Sequence, residues 1–209
     1  MVKAVRIYVE GGGDGKNSKL YFRNGLQAFF NEIVAIARTN CIRWDVVACG
    51  SRNDTHNDFT NDNLLDDPDA AVLLLVDSEG PLTDGHSPKQ HLQRGDKWDL
   101  RQRHDDQCHL MVEMMEAWFL ADVEALVDYY GTNFRRNSIP RRDNVEEIPR
   151  QEVVTALQNA TRNVKKGPYH KGQHSYQLLK VISPAKVRRR APHCKRLFKV
   201  LFTCMGEEI

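Results

Sequence analysis

Apolar and polar positions alternate in the run AVRIYV, residues 4 to 9, and its β-branched and aromatic content predicts a strand. After a glycine-rich turn the period lengthens. In KLYFRNGLQAFFNEIVAIAR, residues 19 to 38, Leu20, Leu26, Phe29, Phe30, Ile33 and Ile36 share one broad face, which predicts a helix capped by Asn17 or Ser18. IRWDVVACG returns to strand character, and the polar stretch from Arg52 to Asp67 has room for a short helix before Pro68. AAVLLLVD, residues 70 to 77, is apolar almost throughout, as a central parallel strand covered on both faces would be.

Between Gly80 and Gln107 the periodicity is lost among Pro81, Gly85, Pro88, Gly95 and many charges, so this stretch reads as a long irregular excursion. QCHLMVEMME resumes a strand and leads into a helix, AWFLADVEALVDYYG, stopped by Gly131. Strands alternating with helices predict an α/β fold with a mostly parallel sheet flanked by helices and right-handed crossovers. An Arg- and Pro-containing linker runs from Thr132 to Pro149, and helical patterns follow near 150 to 163, 173 to 182 and 184 to 204.

Charge sharpens this division. The net value of +2 conceals 13 Lys and Arg against 22 Asp and Glu in residues 1 to 130, and 17 against 6 in residues 131 to 209. The expected organisation is therefore an acidic, metal-binding domain over 1–130 with a basic helical extension over 131–209 packed on it. Such a pairing suits divalent metal on one side and polyphosphate or nucleic acid on the other, although mutual attraction of the halves or a solvated basic face would account for it equally. At 209 residues and 41% hydrophobic content the chain can bury a real core. No apolar run approaches the ~18 residues of a membrane span, and the first residues enter a strand without a signal-peptide pattern, so a cytoplasmic protein is expected. The cysteines Cys41, Cys49, Cys108, Cys194 and Cys204 are scattered and contain no C-x-x-C pair, which suits reduced thiols. His170 and His174 stand at i, i+4 but lack a Cys or carboxylate at zinc-site spacing nearby.

The segment VEGGGDGKNSKL, residues 9 to 20, invites a phosphate-loop reading and fails it. Glu10 occupies the first glycine position of a G-x-x-x-x-G-K-[ST] loop and Asn17 its Ser/Thr position, while Lys16 stands where G-x-G-x-x-G needs its third glycine. What remains is a Glu at a strand end, a turn tight enough to need glycine, and Asp14. In a parallel sheet functional groups collect at the carboxyl ends of the strands, where Glu10, Asp77, Glu79 and Glu116 are all expected, with Glu113 as the structural member of its pair. Several carboxylates converging on one edge suit Mg²⁺ or Mn²⁺, which take oxygen ligands.

Glu10-Gly11 after a strand, with an acidic pair after a later apolar strand, resembles the toprim domain of topoisomerases, primases and overcoming-lysogenization-defect nucleases. VEGGGD, LLLVDSEG, MVEMMEAWFLAD and YHKGQHSYQLLKVISPAKV more closely resemble the small toprim-like proteins of domain-of-unknown-function family 4276. The resemblance implies a toprim-like fold and an ATPase partner in prokaryotic antiviral defence. The second toprim motif is Asp-x-Asp, whereas here it is Asp77-Ser78-Glu79.

The expected activity is a Mg²⁺-dependent nuclease acting on DNA or RNA. Glu10 and Asp77 would bind metal, Glu79 would complete the site or bind a second ion, and Asp14 and Glu116 would support it. Lys171, flanked by glycines in GPYHKGQH, is the expected contact to the scissile phosphate. His174 reads as a second phosphate ligand, a proton carrier or a core histidine. Arg188, Arg189 and Arg190 read as a grip on backbone phosphates or a solvated face. A nucleophilic tyrosine is not required, and the flanks of Tyr169 and Tyr176 argue against one. The rivals are a non-catalytic subunit binding an ATPase or a nucleic-acid end, and a nucleotidyl or phosphoryl transferase using the same acids; a homo-oligomer is compatible with all three.

Overall fold

The computed structural model describes residues 1–65, 67–83 and 85–207. Four strands, β1 (Ala4–Glu10), β2 (Arg43–Gly50), β3 (Ala70–Asp77) and β4 (Cys108–Met111), form an all-parallel sheet in the order β2-β1-β3-β4. Alternation sends Val5, Ile7, Val9, Leu73 and Leu75 to one face and Tyr8, Val72, Leu74 and Val76 to the other, and both faces are covered. This accounts for the near-continuous apolar run of β3.

The first face carries α1 (Lys16–Phe29) and α2 (Asn31–Thr39). The single helix expected over 19–38 breaks at Phe30, whose fully buried ring wedges between Trp44 and Phe198 at 5.8 and 5.6 Å. The second face carries α3 (Arg52–Thr60) and α4 (Pro88–Gly95), closing over Phe59, Leu92 and Leu100. The helix α4 lies inside the expected irregular stretch. Its start is written locally, with Ser87 and Gln90 forming a capping box around Pro88 in the first turn.

Where the sequence predicts one helix after β4, the chain forms a 3-10 turn over Met115–Ala121 and then α5 (Val123–Tyr130), capped by Asp122. All seven residues of the 3-10 turn are buried, and Trp118 stacks on Phe29 at 5.1 Å. Four helices follow: α6 (Arg150–Thr161), α7 (Gln173–Val181), α8 (Pro184–Arg190) and α9 (Pro192–Met205). The expected last helix is divided at Ala191 because Pro192 disfavours helical geometry in the residue before it.

The two parts share one core, running from Val5 through Trp118 to Met205. Helix α7 packs on α1 so closely that a Cβ on Gly25 would lie 2.8 Å from the Tyr176 carbonyl oxygen. The Val2 N–H donates to the Cys204 carbonyl at 3.0 Å. Among the described residues every cysteine is a free thiol, and no helix is long and apolar enough to cross a membrane.

Candidate functional site

At the carboxyl edge of the sheet a cavity of about 400 Å³ lies between the strand ends and the Arg150 and Lys171 segments of the C-terminal part. Its floor is the glycine turn after β1. Gly11 (φ +127°) and Gly50 (φ +94°) exchange backbone hydrogen bonds at 3.0 Å, and a Cβ on Gly11 would lie 2.9 Å from the Phe22 ring. Both the left-handed backbone and the close approach exclude other residues.

Glu10 and Asp77 line the cavity from adjacent strands. Burial raises the Glu10 carboxyl above its ordinary range, opposed by Arg52, which donates to Oε2 at 2.8 Å. Asp77 is 6% exposed; burial foremost, then the neighbouring Glu116, pushes its carboxyl up to about 8, with Lys171 opposing. Its Oδ1 accepts the Met115 N–H at 2.8 Å. Glu116 is fully buried and is the only charged residue of the apolar 3-10 turn. Tyr169 donates its hydroxyl to Glu116 Oε1 at 2.9 Å, whereas Oε2 has no hydrogen-bond partner and stands 3.8 Å from Lys171 Nζ. The Tyr169 hydroxyl is driven far above its ordinary range, by burial first and then by Glu116.

Other expected residues stand differently. Glu79 reaches the cavity, but its half-exposed carboxylate pairs with Arg150. Asp14 is exposed on the glycine turn and does not line the cavity. Glu113 is buried, and its Oε2 accepts the Arg150 N–H at 3.0 Å. His174 points away from the phosphate role: it is buried, bonds through Nδ1 to the Tyr130 hydroxyl at 3.1 Å, and burial lowers its pKa. The arginine run is divided. Arg188 pairs with Glu32 at 3.1 Å and stacks on Phe198, Arg190 donates to the carbonyls of Leu120, Ala121 and Arg142, and Arg189 alone is exposed. Arg188 and Arg189 border a larger groove of about 1060 Å³ between α2, α8 and α9, which lies apart from the strand ends and their carboxylates.

Two cations at the site escape sequence reasoning. Arg52 opens α3 two residues after β2 ends and uses its whole guanidinium: Nε and Nη2 donate to Asp96 at 2.7 Å each, and Nη1 donates to Glu10 and to the Asp77 carbonyl. It also lies over Trp98, 5.0 Å from the ring centre. Its position after a strand was a usable signal, since the rule that collects acids at that edge applies to bases as well. Arg150 carries no such signal, because it opens a helix far along the chain.

A divalent cation fits part of this arrangement. The unpartnered Glu116 oxygen and the raised Asp77 carboxyl are both groups that a nearby positive charge would relieve. As the side chains stand, no three His, Cys, Asp or Glu among the described residues come together around one point, because Arg52 holds Glu10 and Arg150 holds Glu79. Two carboxylates, completed by water and substrate phosphate, are nevertheless a usual complement for Mg²⁺.

The sequence model of one family, described as domain of unknown function (DUF4276), matches residues 9–201. No curated protein and no solved structure matches the chain.

Proposed function

The chain belongs to the DUF4276 family, and we propose that it is a toprim-type, divalent-metal-dependent phosphodiester hydrolase acting on DNA or RNA. The observation that carries the reading is the buried pair Asp77 and Glu116, with one Glu116 oxygen unpartnered, beside a cavity that also presents Lys171. Asp77 and Glu116 would hold Mg²⁺ or Mn²⁺, with Glu10 at the rim. Such an ion lowers the pKa of an attacking water and neutralises charge on the leaving oxygen. Lys171, 60% exposed and 3.8 Å from Glu116 Oε2, would turn to meet a phosphoryl oxygen, and the glycine turn lets the substrate backbone approach. Glu10 is oriented by Arg52, itself fixed by Asp96 and Trp98. The likeness that suggests toprim chemistry also suggests an ATPase partner in prokaryotic antiviral defence, and both belong to the proposal.

The test is calorimetric titration with Mn²⁺ of wild type, Asp77→Asn and Glu116→Gln, alongside cleavage of labelled DNA and RNA in Mg²⁺ or Mn²⁺. Wild type should bind and cleave, and both variants should lose affinity because an amide is a poorer ligand for a hard cation. Folded variants with wild-type affinity would refute the site. One observation favours a second reading, a non-catalytic toprim-like subunit that binds an ATPase or nucleic acid: Glu10 and Glu79 are already neutralised by arginines. Nucleic-acid binding without metal uptake or cleavage would decide for it.

A further inference from the structure

We infer that Arg150 is a binding residue for the substrate phosphodiester, and that Glu79 and Glu113 are positioning residues that aim it, rather than Glu79 being a metal ligand. The inference rests on the reading of the cavity as a phosphodiester site. Two independent features converge on Arg150. Glu79 and Glu113 both adopt φ of +60°, a left-handed backbone that a glutamate rarely takes unless its surroundings enforce it. Both bind the same residue: the Glu79 carboxylate takes the guanidinium, and Glu113 Oε2 accepts the Arg150 backbone N–H. Ser78 Oγ in turn accepts the Glu113 N–H at 2.7 Å, tying the two glutamate turns together.

The comparison with Arg52 assigns the roles. Arg52 has every nitrogen engaged and its side chain is 17% exposed, so it can only orient. Arg150 is 38% exposed, lines the cavity, and spends one nitrogen on Glu79; its Nε and second terminal nitrogen have no protein acceptor among the described residues. A planar fork with two donors open toward a cavity is suited to two oxygens of one phosphate. Lys171 faces the same space, so a phosphodiester there would meet a point charge and a fork together.

The experiment measures fluorescence anisotropy of short labelled thymidine and uridine oligonucleotides in EDTA, and separately Mn²⁺ affinity by calorimetry. Arg150→Ala should weaken oligonucleotide binding roughly tenfold, and Arg150→Lys should recover part of it. In a Glu79→Gln background the loss caused by Arg150→Ala should shrink, because the fork is no longer aimed, a coupling that a merely structural role would not produce. Glu79→Gln should keep wild-type Mn²⁺ affinity. The inference is overturned if Arg150→Ala binds like wild type, if its loss is equal or larger in the Glu79→Gln background, or if Glu79→Gln loses Mn²⁺ as Asp77→Asn does. Absence of Mn²⁺ uptake by wild type would instead sink the hydrolase reading, while the anisotropy series still judges Arg150.

Discussion

Replacing Asp77 with asparagine should stabilise the metal-free protein, and the gain should depend on pH in a defined direction. The amide keeps an acceptor for the Met115 N–H and removes a carboxyl that is held at about 8, against an ordinary 3.8. A carboxyl whose folded pKa lies above its unfolded value disfavours the fold as pH rises, since the native form retains a proton that the unfolded chain gives up. The penalty is absent below about 3.8 and complete above about 8. The difference, 8 less 3.8, is about 4 units, and at ~1.4 kcal/mol per unit this sets an upper bound of ~6 kcal/mol. Water entering the cavity reduces it, but a third of that bound, ~2 kcal/mol, already moves the unfolding midpoint of a chain this size by roughly 4–8 °C. Thermal unfolding in EDTA at pH 4, 6 and 8 is the assay. The Asp77→Asn advantage should be near zero at pH 4 and largest at pH 8, and Mn²⁺ should raise the midpoint of wild type alone. An advantage equal at all three pH values, or a loss at pH 8, would refute the reasoning.

Tyr169→Phe should cost ~1–3 kcal/mol in urea unfolding, because it leaves both oxygens of buried Glu116 without a donor. Gly11→Ala should lose a similar ~1–3 kcal/mol, by forcing a side chain into φ +127° and against Phe22; an unchanged urea midpoint would remove the constraint on that turn. Lys171→Ala should lower single-turnover cleavage by roughly 10²-fold with a smaller effect on binding, and Lys171→Arg should recover only part of the rate. Of the arginine run, Arg189→Ala alone should flatten the salt dependence of nucleic-acid binding without loss of stability, whereas Arg188→Ala and Arg190→Ala should lower the unfolding midpoint.

The sheet was legible because its signals are local. Alternation in AVRIYV and the apolar run of AAVLLLVD correspond to β1 and β3, and the acids that end them lie at one edge because parallel strands end together. Helix divisions were not legible where their cause is tertiary. Phe30 breaks a helix by filling a space between Trp44 and Phe198, which are distant in sequence. The same limit applies to the site. Glu10, Asp77 and Lys171 could be named from strand ends and a glycine-flanked lysine, and they line one cavity. What each carboxylate is bound to could not be named, because Arg52, Arg150 and Tyr169 reach it from three other segments. His174 and Arg190 show the converse: residue types suited to phosphate were spent on Tyr130 and on backbone carbonyls.

Helix α7 lies on α1, and the second residue of the chain bonds to residue 204. During synthesis these segments leave the ribosome in order, with the four carboxylates and Arg52 first and Arg150 and Lys171 later. The emerging N-terminal part exposes the apolar face that α7 and α9 later cover, and Val2 waits for a partner some two hundred residues away. Contacts of such long sequence separation form late and slowly. The cavity is therefore incomplete until residue 171 has been made, and a polypeptide stalled before that residue carries the carboxylates without Lys171. Whatever binds in the cavity, an unfinished copy presents it without Lys171, so this topology ties the complete lining to molecules whose synthesis has passed that point.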